Sequence, residues 1–138
     1  MKKIQFLITI LVLAALPAIF TSCKPTPEPE EATIIGSWII KNATRQNNEG
    51  ASEGWPAVEG QVWTFDESSK VTIDNQEYDY TLSEKMLSTS YAAQYNASFF
   101  TVKELTVEHL TLSVEEPKPD KVNKDLKYIY TFDFDKVK

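Results

Sequence analysis

From residue 61 onward, hydrophobic and polar positions alternate with a period of two. The clearest row is the last, in which Tyr128, Tyr130, Phe132 and Phe134 are separated by single, mostly polar residues. Side chains of a strand point alternately to its two faces, so such a row gives one buried and one solvated face. Turn-forming residues separate the rows at short spacing, which is typical of hairpins. The pattern predicts eight strands, at 34–43, 61–66, 70–74, 77–83, 86–90, 98–105, 109–115 and 126–135.

Eight antiparallel strands joined by short links can close into a barrel, which removes both sheet edges. No stretch with a helical period of useful length follows residue 31, and residues 91–96 fit either one helical turn or an irregular loop. We therefore expect an all-β fold, an eight-stranded antiparallel meander barrel over residues 33–138. A β-sandwich is the alternative.

The first predicted strand contains the motif Gly36-Ser37-Trp38. A regular strand would turn Trp38, Ile40 and Asn42 toward the core and Ala43 outward. Gly36 permits backbone angles that a Cβ forbids, so the chain can bend sharply just before the tryptophan. A long polar connection, residues 42–60, follows and contains Trp55.

The first 22 residues have the organisation of a secretory signal peptide. Lys2 and Lys3 precede an apolar stretch at 4–20, and small residues lead to Cys23, the only cysteine of the chain. A membrane-spanning helix would need about 20 apolar residues, so the signal peptide is favoured. A single cysteine excludes an internal disulfide.

Cys23 at the exit of this segment resembles a bacterial lipobox, which implies a covalent diacylglycerol and acyl lipid on its sulfur. Residues 23–32 then form a tether of alternating prolines and glutamates, extended by geometry and charge. Lys24 after the cysteine is typical of outer-membrane lipoproteins. We expect a protein anchored by lipid to the outer membrane of a Gram-negative bacterium, at its periplasmic or cell-surface face.

Composition argues against several function classes. Loss of residues 1–22 would take the formal net charge from −6 to −8, because Lys2 and Lys3 leave with them. An acidic surface repels phosphate backbones, so we expect no nucleic-acid partner. The single histidine, His109, lies on an outward row and supplies neither a catalytic dyad nor a zinc site. We expect no enzymatic activity, no metal and no cofactor beyond the lipid.

Six aromatic residues are the candidate ligand-binding residues. They share apolar walls and, in the tyrosines, hydroxyl groups that could orient a bound molecule. They are Trp55, Trp63, Tyr78, Tyr80, Tyr128 and Tyr130. Trp55 could be a lid over the barrel opening or a plug that pins its loop. The inner row could equally be simple core, because an eight-stranded barrel is just wide enough for side chains to fill it.

The order of elements over residues 33–138 resembles the lipocalin-like domain of small bacterial lipoproteins of the Bacteroidetes type. The resemblance rests on Gly36-Ser37-Trp38, on Val62-Trp63-Thr64-Phe65 and on the aromatic last strand. It implies that the tryptophan closes one end of the barrel and that the first long loop covers the other. Lipocalins commonly lay an arginine over that tryptophan. The only arginine, Arg45, lies in the first predicted loop, so Lys127 or Lys136 would have to substitute.

Two functions follow as expectations. The first is a binding protein whose barrel takes a small hydrophobic or amphipathic ligand. The second is a filled barrel that acts as a protein-interaction or accessory subunit of the envelope. Internal volume separates them, because a cavity of a few hundred Å³ reached past Trp55 would favour the first and a solid core the second.

Overall fold

The computed structural model describes residues 31–117 and 126–138. Residues Glu31–Lys138 belong to one compact unit with its own hydrophobic core, as an independently folding domain requires. The predicted signal peptide, Cys23 and most of the predicted tether lie outside the described residues. Within these two ranges, two short 3₁₀ segments, Pro56–Val58 and Ser90–Tyr95, accompany nine strands. The strands are β1 (Gly36–Asn47), β2 (Ser52–Gly54), β3 (Val62–Phe65), β4 (Lys70–Ile73), β5 (Gln76–Ser83), β6 (Met86–Thr89), β7 (Phe99–Leu105), β8 (His109–Pro117) and β9 (Lys127–Lys136).

Eight of the strands form a closed antiparallel barrel. Strands β3 to β9 follow one another as a meander, β1 pairs with β3, and β9 pairs with β1 to complete the ring. The predicted fold class is therefore confirmed, and the closed ring excludes the β-sandwich. None of the helical segments in the described ranges is long and apolar enough to cross a membrane.

The first connection is shorter than predicted. Strand β1 continues to Asn47, where the alternation predicted an end at residue 43, and β2 pairs with it through Thr44↔Gly54, Arg45↔Glu53 and Gln46↔Ser52. The extension, residues 44–47, contains no hydrophobic residue from which it could have been predicted. It is held because β9 pairs with β1 along nearly its whole length, so long-range pairing decides the strand end.

A β-bulge in β1 reverses the predicted orientation of the side chains that follow it. Ile40 pairs with Phe134 but Asn42 pairs with Asp133, so Lys41 is an extra residue. An extra residue turns every later side chain to the opposite face. Ala43 is consequently buried, whereas Asn42 lies outside, where its Nδ2 donates to Asp133. The predicted orientations of Asn42 and Ala43 were wrong for this reason.

The Trp38 end of the barrel is closed, in keeping with the role that the resemblance implied for this tryptophan. The Trp38 side chain is fully buried, and its Nε1–H donates to the carbonyl of Ile34 at 2.7 Å. The Nζ of Lys136 lies 4.5 Å from the centroid of the Trp38 ring and donates to the carbonyl of Ile35 at 2.7 Å. Lys136 therefore occupies the place for which Lys127 and Lys136 were the two candidates. Lys127 begins β9 at the opposite end of the barrel.

Two features of position 36 favour glycine: its backbone conformation and the close approach of the Lys136 side chain. Its φ is +121°, and a Cβ built there would lie 2.9 Å from both Cε and Nζ of Lys136. We expect Gly36→Ala to lower the free energy of unfolding by about 2 kcal/mol, from backbone strain and from displacement of the lysine. Equilibrium unfolding in urea measures this.

The matched control is Gly50→Ala. Gly50 also has a positive φ, +94°, but nothing lies within 4 Å of the position that a Cβ would take there, so only backbone strain is added. The Gly50 variant should lose about 1 kcal/mol. Equal losses in the two variants would show that contact with Lys136 contributes nothing.

Candidate functional site

The six predicted aromatic residues do not form one pocket. Trp63, Tyr80 and Tyr130 are buried, and the other three are partly buried against the core. Tyr80 packs against Phe65, with ring centroids 5.0 Å apart, and its hydroxyl donates to the carbonyl of Asp66. The remaining five separate into two groups, described below. Trp63, which pairs with Trp38 across β1 and β3, and Tyr78 contact the connection between β6 and β7. Trp55, Tyr128 and Tyr130 lie toward the end of the barrel opposite Trp38. We call this end the mouth.

The first group surrounds the 3₁₀ segment Ser90–Tyr95, which we call the tyrosine plug. The segment begins after Thr89, whose Oγ1 accepts the N–H of Tyr91, and ends at Asn96 in a left-handed conformation with φ +51°. Tyr91 and Tyr95, one turn apart, are both buried. Sequence periodicity left this segment open between a helical turn and a loop, and did not predict that it enters the barrel.

The rings of Tyr91 and Tyr95, both in the tyrosine plug, pack among the inward-facing side chains of the strands. The ring centroid of Tyr91 lies 5.1 Å from that of Trp63 and 5.3 Å from that of Tyr78. The ring centroid of Tyr95 lies 4.8 Å from that of Tyr130. These are distances of direct aromatic contact. The interior at these positions is thus filled by the chain itself.

Glu116 is a polar residue of the interior that lies one residue beyond the predicted strand 109–115. It continues the inward row of β8 beyond Val114, and it is 4% exposed. The hydroxyl of Tyr130 donates to its Oε2 at 2.7 Å, and Nδ2 of Asn96 lies 3.3 Å from its Oε1. Because Asn96 ends the tyrosine plug, Glu116 connects the plug to β8 and β9. Strict alternation continued from Leu110 and Val114 would have predicted that Glu116 faces inward.

The second group lies at the rim of the mouth and is centred on Arg45. The guanidinium carbon of Arg45 lies 4.4 Å from the centroid of the Trp55 ring and 4.6 Å from that of Tyr128. Both Nε and Nη2 of Arg45 donate to Oε1 of Glu53 on β2. The pKa of Arg45 is raised above its ordinary value, mainly by the hydrogen bond with Glu53. Arg45 was predicted in a loop but lies on β1, opposite Tyr130 on β9.

Trp55 packs against the core at this rim. Its backbone N–H donates to the carbonyl of Ala43 at 2.8 Å, and its ring meets that of Tyr130 edge-on at 5.6 Å. These contacts are those of a residue that pins its connection to the barrel, the second of the two roles considered for Trp55. A depression of about 280 Å³ opens beside Arg45 and Tyr128 and is also lined by Glu53.

The buried tyrosines make the stability of the fold depend on pH in the alkaline range. Burial raises the pKa of Tyr80, Tyr91, Tyr95 and Tyr130 above the ordinary value of 10.0, and the hydrogen bond with Glu116 adds to the effect at Tyr130. An unfolded chain releases these protons near pH 10, whereas the folded chain retains them to higher pH. Their contribution to stability is therefore complete below about pH 10 and is lost as the pH rises through the folded-state values.

We accordingly expect the free energy of unfolding to fall steeply above about pH 10. Near-ultraviolet absorbance of the phenolate, followed against pH, should show at least these four of the six tyrosines ionising later in the folded protein than in urea. Coincident titration curves with and without urea would contradict the burial of these hydroxyls.

The outer face carries its polar residues in hydrogen-bonded pairs. Nδ1 of the exposed His109 lies 2.8 Å from Oδ1 of Asp135, and the hydroxyl of Thr111 donates to Asp133. No cluster of three or more potential metal ligands occurs within residues 31–117 and 126–138. A depression of about 430 Å³ lies on this outer surface beside Phe99 and Ile129. Another, of about 420 Å³, lies beside the tyrosine plug, where Tyr80, Thr89 and Ala93 contribute to its lining.

Comparison with protein-family models, with curated proteins and with solved structures gives no match to this chain. The fold and the geometry of the residues therefore carry the functional argument alone.

Proposed function

We propose that this protein is a lipid-anchored envelope protein whose filled, lipocalin-like barrel serves as a protein-interaction or accessory module, without catalysis. One observation carries the proposal: Tyr91 and Tyr95 of the tyrosine plug occupy the space that an interior ligand would need. A barrel without interior room acts through its outer surface. The anchor on Cys23 and a position at the outer membrane of a Gram-negative bacterium are proposed from the sequence pattern of residues 1–32.

The outer surface of β6 and β7 supports an interaction role. Phe99 is 44% exposed and Met86 is 43% exposed. In the strand register Met86 lies opposite Thr101 and Phe99 opposite Ser88, which makes Met86 and Phe99 diagonal neighbours on the same face. Aromatic residues and methionine are enriched where proteins bind one another.

Native mass spectrometry tests the filled barrel. A chain that begins at residue 24, purified from a bacterial host, should give its bare mass, and incubation with fatty acids or haem-like molecules should add nothing. An added mass that is lost on denaturation would reject the filled barrel and identify the class of ligand.

Site-specific photo-crosslinking in the native bacterium tests the interaction role. A photoreactive phenylalanine analogue at position 99 should give one dominant crosslinked partner. The matched position is Thr72, which is exposed on the outer face of β4. The same set of products from positions 72 and 99 would show only random collisions and would argue against a surface centred on Phe99.

A second function, binding of a small hydrophobic or amphipathic ligand, is favoured by the rim of the mouth. There the depression of about 280 Å³ brings together a cation, Arg45, and the partly buried ring of Tyr128. Its volume is near the lower limit of about 300 Å³ for ligand pockets, so such a ligand would be small.

A further inference from the structure

Arg45 is held in an orientation suited to recognition of a carboxylate. Trp55 and Tyr128 cover it at 4.4 and 4.6 Å from their ring centroids. A guanidinium group whose planar faces stack on aromatic rings offers its N–H donors only at its edge. This edge has the fork geometry that matches a carboxylate.

A carboxylate of the chain itself already lies at this edge. Glu53 accepts from both Nε and Nη2 of Arg45 through one oxygen, Oε1. Its side chain is 56% exposed, and it belongs to a three-residue strand, β2, that is exposed throughout and pairs only with β1. Exposed ion pairs contribute little free energy, so exchange of Glu53 for another carboxylate would cost little.

Space for the rest of a small molecule adjoins this ion pair. The depression of about 280 Å³ is lined by Arg45 and Glu53 together with Asn47, Ser52 and Tyr128. Asn47 and Ser52 offer polar groups, and the ring of Tyr128 offers an apolar wall. A short organic acid could place its carboxylate on Arg45 and its carbon chain along this wall.

We propose that Arg45 is the binding residue for the carboxylate of a small organic acid, and that Glu53 occupies this position when no ligand is bound. The proposal rests on the second function given above and specifies its ligand class. Glu53 then acts as an internal competitor, which the incoming acid must displace.

Nuclear magnetic resonance can test this proposal at a single group, because the chain has one arginine and hence one Arg Nε–H signal. Hexanoate is titrated into the ¹⁵N-labelled chain that begins at residue 24. We expect hexanoate to shift the Nε–H signal of Arg45 and the indole signal of Trp55. Hexanol, which lacks the charge, should shift neither to a comparable extent.

Two variants separate the roles of Glu53 and Arg45. Glu53→Gln removes the competitor and should tighten hexanoate binding about two- to fivefold, the range that corresponds to an exposed ion pair. Glu59→Gln is the matched control, because it removes an exposed carboxylate from the same connection and should leave the affinity unchanged. Arg45→Lys keeps the charge but loses the fork and should abolish binding, with a dispersed spectrum showing that the variant is folded.

Several results would overturn the proposal. Equal hexanoate affinity in Glu53→Gln and the wild type would exclude competition by Glu53, and this test does not depend on the folding of the arginine variant. Inorganic phosphate binding as tightly as hexanoate would exclude a carboxylate-specific site. Equal shifts with hexanol would exclude the carboxylate contact while leaving a ligand at the mouth, so the second function itself would stand.

Discussion

Trp38→Ala should lower the free energy of unfolding by about 3–5 kcal/mol, the range for loss of a large aromatic side chain from a core. Three separate losses contribute. The indole is completely buried, its Nε1–H satisfies the carbonyl of Ile34, and its face receives the ammonium group of Lys136. Urea denaturation of the chain that begins at residue 24 gives the change directly.

Trp55→Ala is the matched control for this substitution. Trp55 is the same residue type in the same chain, but it is only partly buried against the core at the opposite end of the barrel. It should cost clearly less than Trp38→Ala. Equal costs, or a larger one for Trp55, would contradict the view that Trp38 closes the structural end of the barrel.

A further variant isolates the lysine. Lys136→Met keeps much of the aliphatic stem over Trp38 but removes the ammonium group that bonds to Ile35. Because the interaction is partly exposed, its loss should be a small fraction of the loss in Trp38→Ala. The tryptophan, with the lysine as support, then accounts for most of the stability of this end.

The sequence was sufficient to predict those parts of the fold that depend on alternation. All eight predicted strands are present, and the inward rows of β8 and β9 are those expected from Leu110 and Tyr128 onward. Each is set by hydrophobic burial on one face, which is a local pattern in the chain. The lysine over Trp38 is one of the two candidates, Lys127 and Lys136, that the resemblance to lipocalins implied.

What the sequence did not predict depends on contacts between distant segments. The bulge at Lys41 follows from the register between β1 and β9, and no residue near it signals an insertion. The extension of β1 to Asn47 has the same origin. The predicted strand ended at residue 115, so the inward position of Glu116 was missed. Its burial depends on hydrogen bonds from other elements, among them those from Tyr130 and Asn96.

The candidate site shows the same division. The inward direction of the six aromatic residues was correct for the buried ones, but whether they enclose space or fill it depends on the tyrosine plug. That segment has no hydrophobic period of its own. Tyr91 and Tyr95 face inward because β6 and β7 place the connection between them at the mouth, which the local sequence does not reveal. Filled and hollow barrels therefore share one strand pattern, and the connections decide between them.

Tyr95→Ala should convert part of the filled barrel into a cavity. The Tyr95 ring lies 4.8 Å from Tyr130, 5.8 Å from Phe132 and 6.0 Å from Phe100, measured between ring centroids. We expect the free energy of unfolding to fall by about 3–5 kcal/mol, because these rings lose a neighbour and the barrel cannot collapse around the space. Apolar engineered cavities of this kind bind small aromatic molecules. p-Cresol, which has the shape of the missing side chain, should therefore raise the melting temperature of the variant.

The wild type and Tyr128→Ala are the controls for p-cresol. Tyr128 is only partly buried and contacts Arg45 at the rim, so its removal should leave no enclosed space and should give no stabilisation by p-cresol. The wild type should also be unaffected, since Tyr95 already occupies the position. Stabilisation of the wild type by p-cresol would mean that interior room exists beside the tyrosine plug. That result would favour an interior ligand over the filled barrel, whereas stabilisation confined to Tyr95→Ala would support a barrel that acts through its surface.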